Sequence, residues 1–231
     1  MSGPIRGILF DKDGTLLDFQ ASWGSWAVDL VDHLTRQCPD QRARLLKHLD
    51  VDAEARLVGS NSVIVAGTPV DIVQTLTSFF PDREQNDLID EIVALSANVR
   101  PVPVGGLRDT LVRLRAAGTR LGVATNDAEG IARRQLDELG IADLFDYVVG
   151  FDSGHGSKPG PGMCIGFAKA VDVAPEACVM VGDSLHDLKA GRSAGMTTVA
   201  VLTGVAKRDE LAPFADHVFP DVTGLVDWVR A

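Results

Sequence analysis

The sequence predicts an α/β fold, a Rossmann-like doubly wound parallel sheet core with an inserted α-helical domain. Two observations carry that expectation. Short, nearly continuous apolar runs alternate with amphipathic helical stretches, the pattern of strands buried on both faces and joined by helical crossovers. One long stretch, residues 19–100, breaks this rhythm and carries helical spacing only. The expected organisation is therefore a core built from residues 1–18 and 101–231, interrupted by a helical domain at 19–100.

Taken in order, the strands are expected at 5–10, 120–125, 147–149, 178–182, 197–202 and 217–219, each apolar and rich in Val, Ile or Leu. Helices are expected between them at 107–117, 129–139, 162–171, 185–194 and 225–229. Gly118, Gly140 and Gly195 fall where helix C-caps belong. Within the insert, Trp23, Trp26, Leu30 and Leu34 mark one helix, and Leu45, Leu46 and Leu49 another. Thr68-Pro69-Val70-Asp71 reads as a helix start, with a capping hydroxyl, proline in the first turn and a carboxylate three residues after the cap. Leu88, Ile92 and Leu95 mark the last helix. The prolines at 101 and 103 then keep the return segment extended. The insert is expected to be all-helical.

Composition narrows the function classes. The chain has 231 residues, 45% hydrophobic and 23% charged, which is ordinary globular composition. A chain of this size buries a core without covalent staples. Cys38, Cys164 and Cys178 are odd in number, widely spaced and form no C-x-x-C, so reduced thiols of a cytoplasmic protein are expected. No basic segment followed by a long apolar run opens the sequence, and no apolar run approaches the ~20 residues of a membrane helix. The net charge of −10 argues against nucleic acid or an anionic membrane as partner, because phosphate backbones are held largely by Lys and Arg. A small anion still fits an acidic chain if a local cation is supplied.

Four segments carry the chemistry. Phe10-Asp11-Lys12-Asp13-Gly14-Thr15 places two carboxylates directly after a buried strand, where open α/β sheets bind ligands. Taken alone, a D-x-D is equally a calcium-loop fragment or a solvated turn. Ala124-Thr125-Asn126 ends a strand in a hydroxyl and runs into a helix start, offering Thr125 and nearby N–H groups to an anion, although Thr-Asn at a strand end also serves as a helix cap. Gly156-Ser157-Lys158-Pro159 supplies a loop cation. Gly182-Asp183-Ser184-Leu185-His186-Asp187 gives a carboxylate at a strand end and another one helical turn later, a hard oxygen set suited to Mg²⁺. Each segment stands at the carboxyl end of an expected parallel strand, so they share one edge of the sheet. Several carboxylates cannot all stay ionised there unpaired. A divalent cation and Lys158 resolve that repulsion.

In this order the four segments resemble the signature motifs of the haloacid dehalogenase superfamily. The insert after the first motif resembles the cap of the subfamily containing phosphoglycolate phosphatase, β-phosphoglucomutase and 2-haloacid dehalogenase. The resemblance covers essentially the whole chain, specifically in the core and loosely in the cap. It implies a phosphatase acting on a small phosphorylated metabolite, with Asp11 as the nucleophile that becomes an aspartyl phosphate and Asp13 as general acid and base. Thr125, Asn126 and Lys158 would hold the phosphoryl oxygens. Mg²⁺ would be bound by Asp11, the backbone carbonyl of Asp13 and Asp183, with Asp187 in support. The dehalogenases lack an acid at the position of Asp13, so phosphate transfer is favoured. Asp127-Ala128-Glu129 follows Asn126 where phosphoglycolate phosphatases often carry a lysine, which leaves the substrate open, although 151–161 resembles that group. Trp23 and Trp26 read as core residues, and His155 and His186 as loop and helix-surface residues. The rival expectations are a phosphomutase of the β-phosphoglucomutase kind and, from another class, a catalytically inactive binding protein on the same fold. A monomer or homodimer is expected.

Overall fold

The computed structural model describes residues 4–230. The chain divides into two compact units, Met1–Asp18 with Pro101–Ala231, and Phe19–Arg100. In chain order, β1 (Gly7–Phe10) leads to α1 (Phe19–Leu34), α2 (Arg42–His48), β2 (Val51–Asp52), β3 (Leu57–Val58), α3 (Val63–Ala66), α4 (Pro69–Leu76) and α5 (Gln85–Ser96). The chain then returns through α6 (Leu107–Ala116), β4 (Arg120–Ala124), α7 (Glu129–Glu138), β5 (Tyr147–Val149) and α8 (Gly162–Ala170). It ends with β6 (Cys178–Gly182), α9 (Leu185–Ser193), β7 (Thr197–Val201), α10 (Arg208–Leu211), β8 (His217–Phe219) and α11 (Leu225–Trp228).

The first unit is a six-stranded sheet ordered β5-β4-β1-β6-β7-β8, and every pairing in it is parallel. The strand order therefore reverses at β1, the switch point at which doubly wound sheets bind ligands. Alternation along β1 explains both layers. Ile8 and Phe10 face one side with Leu121, Val123, Val179 and Val181, against Leu111 and Leu114 of α6 and Ala132 and Leu136 of α7. Leu9 faces the other side with Ala124 and Met180, against Met163 and Phe167 of α8. Both faces are covered, which is why these strands read as continuous apolar runs rather than as alternating ones. Phe10 is level with Val123 on one neighbour and Val181 on the other, so the residues that follow these strands emerge side by side. Gly118, Gly140 and Gly195 have positive φ at the ends of α6, α7 and α9, as their C-cap positions require.

The second unit is helical with one exception. Val51 and Asp52 pair antiparallel with Val58 and Leu57, so the expectation of an all-helical insert is corrected by a small hairpin. Two-residue strands are too short to leave a periodic signal. Local polar bonds hold them instead: the Asp52 carboxylate accepts the N–H groups of Glu54 and Ala55, and the Gln20 side chain pairs with both backbone groups of Val58. Thr68 and Asp71 form the reciprocal cap at the start of α4. Trp23 and Trp26 are buried and meet edge to face, consistent with core residues. Among the described residues, no helix is long and apolar enough to cross a membrane.

Candidate active site

Parallel pairing brings three of the four sequence segments together at the carboxyl edge of the sheet, and the loop after β5 supplies the fourth. Asp11 follows β1 and donates its backbone N–H to Val181, extending the ladder by one residue. Asp183 follows β6, and Asp187 lies in the first turn of α9. Oxygens of Asp11, Asp183 and Asp187 all lie within 4.8 Å of one another, and all three residues are buried. The Lys158 ammonium enters this group, 2.5 Å from Asp11 Oδ1 and 2.7 Å from Asp187 Oδ1, and donates to the Ala124 carbonyl at 2.8 Å.

One ammonium among three carboxylates leaves an excess of negative charge. Burial, partly offset by Lys158 and reinforced by Asp187 and Asp13, pushes the Asp11 carboxyl up to about 7. Burial raises Asp183 well above the ordinary carboxylate range, and Asp11 and Asp187 add to the rise. Burial alone would lower the Lys158 pKa, but Asp11 and Asp187 outweigh it and hold the ammonium above its ordinary value. Asp183 Oδ1 accepts from Thr15 Oγ at 3.3 Å, whereas its buried Oδ2 has no hydrogen-bond partner among the described residues. An orphaned carboxylate oxygen beside a second buried carboxylate fits a small divalent cation, whose natural ligands are oxygens. The neighbouring backbone is shaped to that oxygen. A Cβ on Gly204 would lie 1.7 Å from Asp183 Oδ2, and one on Gly14 would lie 2.4 Å from it. Thr203 Oγ donates to the Gly14 carbonyl at 2.6 Å, tying the loop after β7 to the loop after β1.

Positioning is largely done by main-chain anchors. The Asn126 side chain accepts the Lys158 N–H and donates to the Lys158 carbonyl, both at 2.9 Å, clamping the lysine loop. Lys158 precedes a cis peptide bond to Pro159. Asp187 Oδ2 accepts both the N–H and the hydroxyl of Ser184, capping α9 and fixing the carboxylate that pairs with Lys158. Thr125 is buried, and its hydroxyl accepts the Asp127 N–H at 3.1 Å. The expected helix-start anion cradle is narrower than the sequence implies. At the start of α7 the Ala128 and Glu129 N–H groups are taken by the Asp127 and Asp152 carboxylates. His155 is exposed and His186 half-buried, and neither belongs to the carboxylate cluster.

Sequence reasoning singled out Asp13 but missed what holds it. Lys12 is fully buried, with its ammonium 2.7 Å from Asp13 Oδ2, 3.2 Å from Asp127 Oδ2 and 2.5 Å from Gln135 Oε1 on α7. Burial opposes the Lys12 charge, but Asp13 and Asp127 overcome it and raise its pKa above the ordinary lysine value. The signal was present in the alternation of β1. Lys12 shares parity with Ile8 and Phe10, which face α7, whereas Asp11 shares parity with Leu9. Thr203 and Gly204 carried no signal beyond a Gly after a strand.

The haloacid dehalogenase-like hydrolase family matches residues 5–195, and the chain belongs to that family. Within it, relatives of this chain are phosphatases. It is 28% identical over 234 residues to a phosphoglycolate phosphatase of Rhodospirillum rubrum, covering 97% of this chain and 90% of that one. It is 29% identical over 217 residues to the phosphoglycolate phosphatase of Escherichia coli, covering 87% and 82% respectively. Among solved structures, a haloacid dehalogenase phosphatase from Thermococcus onnurineus superposes with TM-score 0.69 at 24% identity, covering 97% of this chain and 98% of that one. A β-phosphoglucomutase from Clostridium difficile superposes with TM-score 0.71 at 18% identity, covering 98% and 96%. These superpositions establish the shared fold.

Proposed function

We propose that the protein is a Mg²⁺-dependent phosphatase that hydrolyses a small phosphate monoester, of the kind phosphoglycolate phosphatases take, through a phosphorylated Asp11. The observation that carries the reading is the buried Asp11–Lys158 pair set beside the orphaned oxygen of Asp183. Asp11, Asp183 and the backbone carbonyl of Asp13 would hold Mg²⁺, with Asp187 behind them. When bound, the cation supplies charge neutralisation that lets an anionic carboxylate meet an anionic phosphate. Asp11 attacks phosphorus, and the P–O bond to the leaving group breaks as Asp13 gives that oxygen a proton. Asp13 then takes a proton from the water that cleaves the acyl phosphate. Thr125, the Asn126 main chain and Lys158 would hold the equatorial phosphoryl oxygens, where charge is spread in the transition state. Asn126 contributes further by clamping Lys158. The unit at 19–100 would serve as a cap and carry the substrate preference. The similarity to a phosphomutase is one of fold and leaves the phosphatase reading in place; an assay for sugar-phosphate isomerisation checks it.

Rapid-quench experiments with an activated aryl phosphate test the mechanism. Asp11→Asn should form no phosphoenzyme. Asp13→Asn should form it and accumulate it, with turnover lower by roughly 10²- to 10⁴-fold, the usual contribution of acid–base catalysis. Labelling of Asp11→Asn at another residue would overturn the nucleophile assignment.

A further inference from the structure

We propose that Lys12, braced by Asp127 and Gln135, is a positioning residue that fixes the Asp13 carboxylate for its proton transfers. The inference rests on the acid–base reading of Asp13. Three oxygens surround the ammonium: Asp13 Oδ2 at 2.7 Å and Asp127 Oδ2 at 3.2 Å as ion pairs, and Gln135 Oε1 at 2.5 Å as a hydrogen bond. Lys12 itself is 0% exposed, whereas the Asp13 side chain is 14% exposed, so the contact crosses from the packed interior to the rim of the site.

Burying a lysine is costly unless its charge is fully answered, and an apolar side chain would fill the same layer as Ile8 and Phe10 do. The fold alone gives no reason for the charge, but the task of Asp13 does. A short carboxylate at a rim samples several rotamers, and proton transfer demands one of them. The buried ammonium ties down one oxygen of Asp13 and thereby fixes the plane of the carboxylate. Asp127 sits directly after Thr125-Asn126, and its other oxygen accepts the Ala128 N–H, so it is anchored to the start of α7. Gln135 is fully buried two turns along the same helix. Lys12 is thus referenced to a rigid element rather than to a loop, and it passes that rigidity to Asp13. A misplacement of about 1 Å in such a group costs on the order of 10²-fold in rate.

The test uses Lys12→Met, Asp13→Asn and the double variant Lys12→Met/Asp127→Asn. Melting temperature, KM and the rates of phosphoenzyme formation and breakdown are measured on an activated aryl phosphate with Mg²⁺. Lys12→Met should slow phosphoenzyme breakdown by about 10- to 100-fold with KM little changed. It should also lower the melting temperature, because Asp127 is left as a buried, unanswered charge. The double variant removes that charge and should regain melting temperature without regaining breakdown rate. If rate and stability recover together, Lys12 is only a structural ion and the proposal is overturned. If Lys12→Met does not fold, the double variant decides the matter by the same rate measurement. Asp13→Asn at the wild-type rate would sink the acid–base reading and this role with it. A slow Asp13→Asn beside a fast double variant would sink the Lys12 role alone.

Discussion

Gly204→Ala gives a direct measure of how closely the site is built around the free oxygen of Asp183. The added Cβ would fall 1.7 Å from Oδ2, 1.3 Å short of the 3.0 Å that real Cβ atoms keep, and 2.4 Å from Cγ. Asp183 is 3% exposed and its other oxygen accepts from Thr15, so the carboxylate can yield only by giving up that bond or by displacing the loop. A ligand displaced by more than 1 Å leaves Mg²⁺ coordination altogether, since Mg²⁺ demands oxygens at about 2.0–2.1 Å. The overpacking should cost about 1–3 kcal/mol of stability. Mg²⁺ affinity, read by calorimetric titration and by the metal dependence of aryl phosphate turnover, should fall by at least 10- to 100-fold, the loss usual for disturbing a ligand's support. Gly105→Ala is the control, because no atom lies within 4 Å of the Cβ it would add. Wild-type Mg²⁺ affinity in Gly204→Ala would refute the reasoning, and with it the placing of the cation at Asp183 Oδ2.

Two further outcomes follow from the same structure. The Asp11 carboxyl is raised from an unfolded value of 3.8 to about 7, so its contribution to stability is fully present below 3.8 and lost as pH rises toward 7. Thermal melts in chelator should show the wild type losing stability relative to Asp11→Asn across that window, and Mg²⁺ should remove the difference; equal slopes in chelator would count against it. Phe167→Ala should destabilise the core by ~3–5 kcal/mol in denaturant titration, because the ring is fully buried over Gly7 and Gly122, and a loss under 1 kcal/mol would contradict that packing.

The sequence by itself determined the parallel sheet, because strands covered on both faces read as short, nearly continuous apolar runs that alternate with amphipathic helices. The ends of β5, β6 and β8 fall where the apolar runs place them, the other expected core elements differ by a residue or two at a terminus, and the short α10 was not expected. The sequence also delivered Asp11, Asp13, Lys158 and Asp183 to one edge, because topology alone fixes what lies at the carboxyl ends of parallel strands. What it could not express is contact across the chain. The Lys12–Gln135 bond spans 123 residues and the Thr203–Gly14 bond 189, and neither leaves a local pattern. The same holds for Asn126, whose position next to Thr125 suggested the phosphate directly, whereas its amide grips the backbone of Lys158. Local sequence sets which face of a strand a residue takes, through the period of two. Which partner waits on that face is decided by packing, and only the tertiary structure shows that the lysine between the two aspartates turns inward to meet one of them.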